Sequence, residues 1–159
     1  MRRLMKFLHT IGAVGLMGAM ACLVVLLGFL PKPALLSEYA MMTAAMGGIV
    51  TWIFLPSLGL TLIAGLLAIA LNRAYHSAGW AWAKLATGVL IFEWGFTAIL
   101  GPMQEEAELS ARVLAGETDA SALAASLGAE RNSLWVLLAV AAANVMLGIW
   151  RPRLTSLPD

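Results

Sequence analysis

His9, Lys84, Glu93 and Asn144 are the residues of this chain that could do chemistry, because each stands inside a run otherwise almost free of charge. A charged side chain at mid-depth in a bilayer costs at least about 2.5–3.5 kcal/mol on insertion scales, so it needs a partner or a task. His9 falls in the first turn of the first apolar run, and Lys84 in the first turn or two of the third. Those two runs cross in the same direction, so the two side chains share one level. His76, the only other histidine, stands in the turn just before the third run, close to that level. A neutral imidazole at this depth can ligate a haem iron, with Lys84 or an arginine pairing a propionate. The same positions also suit plain anchoring, with His9 and Lys84 reaching for the headgroups and His76 solvated. Glu93 comes half a turn beyond whole turns after Lys84, at about 100° per residue, and so faces away from it. It calls for a proton or for a donor on another span, with Asn144, Thr51 and Thr61 as candidates. Those alternatives correspond to a proton path and to an interhelical hydrogen bond.

The elements that must position these residues are long and apolar. Of 159 residues, 61% are hydrophobic and only 12% charged, and the mean hydropathy is +0.86. A soluble domain of this size is nearer half apolar and a quarter charged. Runs of twenty or so uncharged residues read as transmembrane helices. Four are expected, over about 7–30, 48–71, 80–100 and 134–150. Pro31-Lys32-Pro33 stops the first, Pro56 is expected to kink the second, Gly101-Pro102 ends the third, and Arg151-Pro152-Arg153 ends the fourth. The ends of the fourth can lie a turn further out. Residues 34–46 form either an interfacial helix or an extension of the second span. Residues 72–79 make a polar turn, so spans two and three are antiparallel neighbours. Residues 103–131 look soluble, with Leu109, Val113, Leu123 and Leu127 at helical spacing among charges, as in one or two short amphipathic helices.

Charge orients the bundle. With the N-terminus cytoplasmic, the inner side carries Arg2, Arg3, Lys6, Arg73, Arg151 and Arg153. The outer side carries Lys32, Arg112 and Arg131 beside Glu38, Glu105, Glu106, Glu108, Glu117, Asp119 and Glu130. That bias follows the positive-inside rule and puts both termini inside. Trp80, Trp82 and Trp150 then mark the inner interface and Trp52 and Trp135 the outer one, with Trp94 deeper. Ala19-Met20-Ala21-Cys22 resembles a lipoprotein cleavage site, but the apolar run continues to Leu30, which makes it an anchor with Cys22 buried in a helix. Small residues at Gly12, Gly15, Gly18 and Ala19, at Ser57, Thr61, Gly65 and Ala68, and at Ala139, Ala143 and Gly148 permit close helix packing or leave room for a flat macrocycle.

Several classes are excluded. A net charge of +1 gives no reason for a nucleic-acid partner, and a single cysteine rules out a disulfide framework, a cysteine zinc cluster and a Cys-Cys redox pair. The sequence has no phosphate-binding glycine loop, no His-Glu-x-x-His and no nucleophile elbow.

Lys6-Phe7-Leu8-His9 opening the first span and Gly79-Trp80-Ala81-Trp82-Ala83-Lys84-Leu85 opening a later one resemble the small HemJ-type membrane proteins. So does Leu55-Pro56 followed by Gly59 and Ala64-Gly65-Leu66. The family oxidises protoporphyrinogen in bacterial haem synthesis and binds haem b, and the CopD-like copper-resistance proteins look distantly similar. The resemblance, over residues 5–95, implies a haem-ligating histidine at His9 and an important lysine at Lys84. Where the family usually has a second histidine before that lysine, this chain has Trp82. Its C-terminal stretch, Gly148-Ile149-Trp150-Arg151-Pro152-Arg153-Leu154, is similar to a bacterial group of integral membrane proteins with no assigned activity.

The expectation is an all-α, antiparallel four-helix bundle of a bacterial inner membrane, residues 1–159 forming one membrane domain. One functional reading places haem b or a related porphyrin near the cytoplasmic face. His9 ligates the iron, His76 is a second ligand, Lys84 binds an anionic group and Glu93 carries protons, with a quinone or porphyrin in the lipid as redox partner. The other reading is a non-enzymatic subunit, homo-oligomeric or part of a larger membrane complex, that docks through the acidic segment 103–131.

Overall fold

A computed structural model of the chain describes residues 2–71, 79–123 and 126–150. His76 and the Arg151-Pro152-Arg153 stop lie outside those residues. The described chain is all-α, without strands, and four of its helices are long and apolar enough to cross a membrane. They are α1 (Arg2–Gly28), α2 (Leu36–Ala70), α3 (Gly79–Leu114) and α4 (Gly128–Trp150). A short 3-10 turn, Ala120–Ala122, lies between α3 and α4.

Polar contacts give the order of the bundle. His9 meets Thr61, Thr43 meets Ser110 while Thr51 meets Gln104, and Trp94 meets Ser133 while Asn144 meets Thr87. Rising numbers on α2 pair with falling numbers on α3, and the same holds for α3 with α4, so these neighbours are antiparallel. Large apolar side chains stay exposed on every helix, among them Phe7, Val14, Ile63, Leu90 and Ile149. Exposure of this extent suits lipid rather than water.

The middle helices differ from the expected spans. α2 has 35 residues and begins at Leu36, so residues 36–46 extend the second span instead of lying at an interface. α3 has 36 residues and runs through Gly101-Pro102 to Leu114. At 1.5 Å per residue each is over 50 Å long, against about 30 Å of hydrocarbon. What lets them continue is a π-helical turn ahead of each proline, Val50–Phe54 before Pro56 and Phe96–Leu100 before Pro102. The residue preceding each proline bonds five positions back, Leu55 N–H to Val50 C=O and Gly101 N–H to Phe96 C=O. The wider turn makes room for a ring that would otherwise strike the carbonyl four residues back. Beyond these turns, residues 36–49 of α2 pack on residues 101–114 of α3 as a two-helix extension. α3 then ends on Gly116, whose φ of +76° accompanies bonds from Gly116 N to Val113 O and from Glu117 N to Arg112 O. That is the left-handed glycine stop of a Schellman turn.

The bundle has a closed half and an open half. Its apolar core uses Leu16 to Leu23 of α1, Met46 to Leu58 of α2, Ile91 to Met103 of α3 and Leu134 to Ala141 of α4, with Leu127 just ahead of α4. On the other side of Leu16, Leu58, Ile91 and Ala141 a cavity replaces the core. Cys22 is exposed on α1 rather than buried, because it lies on the face of the helix turned from the neighbouring helices.

Candidate ligand cavity

All four helices line the cavity, which has a volume of about 820 Å³. Pockets for small ligands commonly span roughly 300–1,000 Å³. Leu16, Leu58, Ile91 and Ala141 close it toward the core, one residue from each helix. Exposed Thr10 and Val14 of α1 and exposed Val145 and Ile149 of α4 also line it, so it opens sideways between those two helices.

Both His9 and Lys84 line this cavity, which brings together two residues that the sequence placed at one level. His9 Nδ1–H donates to the Thr61 carbonyl across 2.8 Å. A carbonyl only accepts, so Nδ1 carries the proton and Nε2 of the neutral ring holds the lone pair. Orienting bonds of this kind fix the tautomer of metal-ligating histidines. The bond is possible because α1 and α2 approach closely: a Cβ at Gly12 would meet Thr61 Oγ1 at 2.5 Å and Thr61 N at 2.9 Å. Gly15 lies against Ser57 in the same seam, and Gly65 leaves the His9 ring its place. Gly18, by contrast, has nothing near it.

Lys84 is half-buried, and its Nζ lies so close to α4 that a Cβ at Gly148 would stand 2.8 Å away. Among the described residues the Nζ makes no ion pair or hydrogen bond. Its own carbonyl takes a 3.2 Å bond from Asn144 Nδ2, which also donates to Thr87 Oγ1 at 2.7 Å. Asn144 therefore fastens α4 to the turn of α3 that carries Lys84. Lys6, at the cavity's edge, adds a second cation, and among the described residues no Asp or Glu lines the space.

Glu93 lies elsewhere. It is exposed, away from the cavity, and all three of its expected donors are engaged. Asn144 bonds Thr87, Thr51 accepts from Gln104, and Thr61 bonds the Ser57 carbonyl. The half-turn offset from Lys84 puts Glu93 on the outer face of α3, so it shares no site with Lys84.

Three features escaped the sequence reading. Met5, Met17 and Met146 line the cavity, but methionine is so common a filler that spacing alone does not mark it. Lys6 was visible as an inner-side charge and as the start of the Lys6-Phe7-Leu8-His9 stretch, but not as a neighbour of Lys84 at one cavity. At the closed end Tyr39 O–H donates to Glu106 at 2.6 Å, with both residues buried, and a Glu130 oxygen is buried nearby without a partner among the described residues. The acids of 103–131 thus split: Glu106 turns inward, while Glu105, Glu108, Glu117 and Asp119 are exposed.

The described residues contain no cluster of three His, Cys, Asp or Glu able to hold a metal ion. A porphyrin iron asks for less, an axial nitrogen and a cradle; of the cavity's glycines, Gly65 faces the His9 ring, Gly148 faces Lys84 Nζ, and Gly88 has nothing within 4 Å. Comparison of the chain with protein-family models, with curated proteins and with solved structures finds no match in any of the three.

Proposed function

We propose that this is a multi-pass protein of a bacterial inner membrane, both termini cytoplasmic, whose cavity binds a flat, amphipathic, anionic ligand of the haem b or porphyrin class. The observation that carries the reading is one apolar cavity lined by an imidazole and by two lysines, where among the described residues Nε2 is unengaged and no acid opposes the lysines. His9 would hold the iron through Nε2, Lys84 and Lys6 would pair the propionates, and Thr61 would keep the imidazole in its ligating tautomer. Bound haem supplies one-electron chemistry toward a quinone or porphyrin in the lipid. The sideways opening between α1 and α4 suits a ligand that arrives from the bilayer. The lysine and arginine bias between the two ends supports the orientation.

The test is an absorption spectrum of detergent-purified protein from cells supplied with haem precursor, as isolated and after dithionite. A stoichiometric Soret band that His9→Ala abolishes and Lys84→Gln weakens is the expected result. A folded, colourless protein, or a His9→Ala variant with the full spectrum, overturns the reading.

A second reading rests on the two-helix extension, residues 36–49 with 101–114, which carries exposed Glu105 and Glu108 beyond the closed half. In this reading the chain is an accessory subunit whose extension docks a basic partner of a larger complex. Glu105→Lys with Glu108→Lys then abolishes co-purification of that partner and leaves the bundle folded.

A further inference from the structure

A second cavity lies at the opposite end of the bundle, where the segment after α1 meets the start of α4. Its volume is about 210 Å³, and Lys32, Arg131, Tyr39, Ser126, Leu27 and Leu30 are among its lining residues. Among the described residues the lining includes both of these cations and no carboxylate. Neither cation has an ion pair among the described residues. Pro31 and Pro33 bracket Lys32 and hold its backbone in a restricted conformation at the rim. Of the nearby acids, Glu106 accepts the Tyr39 hydroxyl, and neither it nor Glu130 is among the described residues that line the cleft.

Depth says which anion reaches this place. Trp135 is exposed one helical turn from Arg131, on the same face of α4. Exposed Phe29 and Leu35 flank the Lys32 segment. Exposed tryptophan marks the edge of the hydrocarbon, so Arg131, one turn further out, stands at the level of lipid phosphates. Leu27 and Leu30, half-buried against the core, supply an apolar wall.

We infer that Lys32 and Arg131 form a binding site for the phosphate of an anionic phospholipid headgroup, with the start of an acyl chain against Leu27 and Leu30. Basic pockets between membrane helices recognise headgroups in this way. With no carboxylate in the lining, the cleft offers nothing to the ammonium of a zwitterionic lipid and so favours an anionic one. The inference is independent of what the larger cavity holds.

The experiment uses the delipidated full-length protein in detergent, titrated separately with phosphatidylglycerol, phosphatidylcholine and inorganic phosphate. Native mass spectrometry counts the lipid retained, and thermal unfolding reads the stabilisation. Phosphatidylglycerol is expected to be retained in preference to phosphatidylcholine and to raise the unfolding midpoint. Lys32→Gln and Arg131→Gln each weaken that retention about fivefold and the double variant about 25-fold, whereas Lys32→Arg keeps it. Both side chains are exposed, so helix content by circular dichroism should not change. Equal retention of the two lipids overturns the inference, as does a double variant that binds phosphatidylglycerol like the parent. Equal stabilisation by inorganic phosphate overturns the lipid assignment and leaves a free-phosphate site.

Discussion

Replacing Gly12 by alanine tests the seam on which the His9 geometry depends. The new Cβ would lie 2.5 Å from Thr61 Oγ1, 2.9 Å from Thr61 N and 3.1 Å from Ser57 O. The hydroxyl can rotate away, but the two backbone atoms cannot, so α1 must retreat from α2 by about 0.5 Å to restore ordinary contact. Overpacking of this kind costs about 1–3 kcal/mol. Against it stands the gain of up to about 1 kcal/mol from replacing glycine by alanine within a helix. Gly18→Ala makes the same helix gain on the same helix, and its Cβ meets nothing within 4 Å. The difference between the two variants therefore isolates the packing cost. For a chain of this size it separates their unfolding midpoints by about 2–12 °C, read by circular dichroism in one detergent. The His9 Nδ1–Thr61 O bond, now 2.8 Å, lies in the same seam and lengthens as well, which nitrogen NMR of the labelled ring detects. Coincident midpoints and an unmoved Nδ1 resonance for Gly12→Ala would refute the claim that the two helices touch there.

Tyr39→Phe keeps the ring among Val113 and Leu123 but removes the 2.6 Å donation to buried Glu106, and should cost about 1.5–3 kcal/mol by thermal unfolding. An unchanged midpoint would mean that the bond contributes nothing. Asn144→Ala removes the tie from α4 to Thr87 and the Lys84 carbonyl; hydrogen bonds between membrane helices are worth about 0.6–2 kcal/mol, and the loss should appear in the same assay. Asp119 is held below the usual carboxylate range by the Ser121 side chain and then by the Ser121 backbone N–H at 2.7 Å. Its contribution is thus fully present above the ordinary carboxylate pKa of about 3.9 and is lost as pH falls through the lower folded value. Ser121→Ala should move the NMR titration midpoint of Asp119 upward without erasing the shift, because the backbone donor stays.

Much of this architecture is legible in the residues, and the parts that are not have physical reasons. Four apolar runs mark four helices, and the small residues Gly12, Gly15, Ser57 and Thr61 mark the α1–α2 seam, because helix periodicity and side-chain volume are local properties. The lengths of α2 and α3 are not local. Pro56 and Pro102 read as a kink and a stop, yet a π turn before each lets the helix pass, and whether that happens depends on the partner helix packed alongside. The extension pairs α2 with α3 through Thr43–Ser110 and Thr51–Gln104, contacts between residues far apart in sequence. The same limit applies to the candidate site. Shared depth puts His9 and Lys84 on one level, and the helical period turns Glu93 away from Lys84. That the Thr61 carbonyl accepts a hydrogen bond from His9, that Asn144 serves Thr87 rather than Glu93, and that Glu106 points inward while Glu105 and Glu108 point outward all require the rotation of each helix about its axis. A charge pattern does not specify that rotation.

The division of the bundle into closed and open halves bears on how the cavity can work. Phe54, Met20, Leu23, Ile99 and Leu134 are fully buried and hold the four helices together on one side of the cavity. On the other side the helices are joined by the α1–α2 seam and by the Asn144 tie between α3 and α4. α1 and α4, which flank the sideways opening, have no side-chain hydrogen bond to each other there among the described residues. Local opening follows the parts of a structure with few buried apolar contacts. The cavity mouth can therefore widen between α1 and α4 while the closed half stays folded. Hydrogen exchange should accordingly run faster in residues 3–14 and 142–150 than in residues 16–24 and 131–141. Exchange that is uniform along both helices would show that the closed half does not act as an anchor, and that the cavity is held as rigidly as the core.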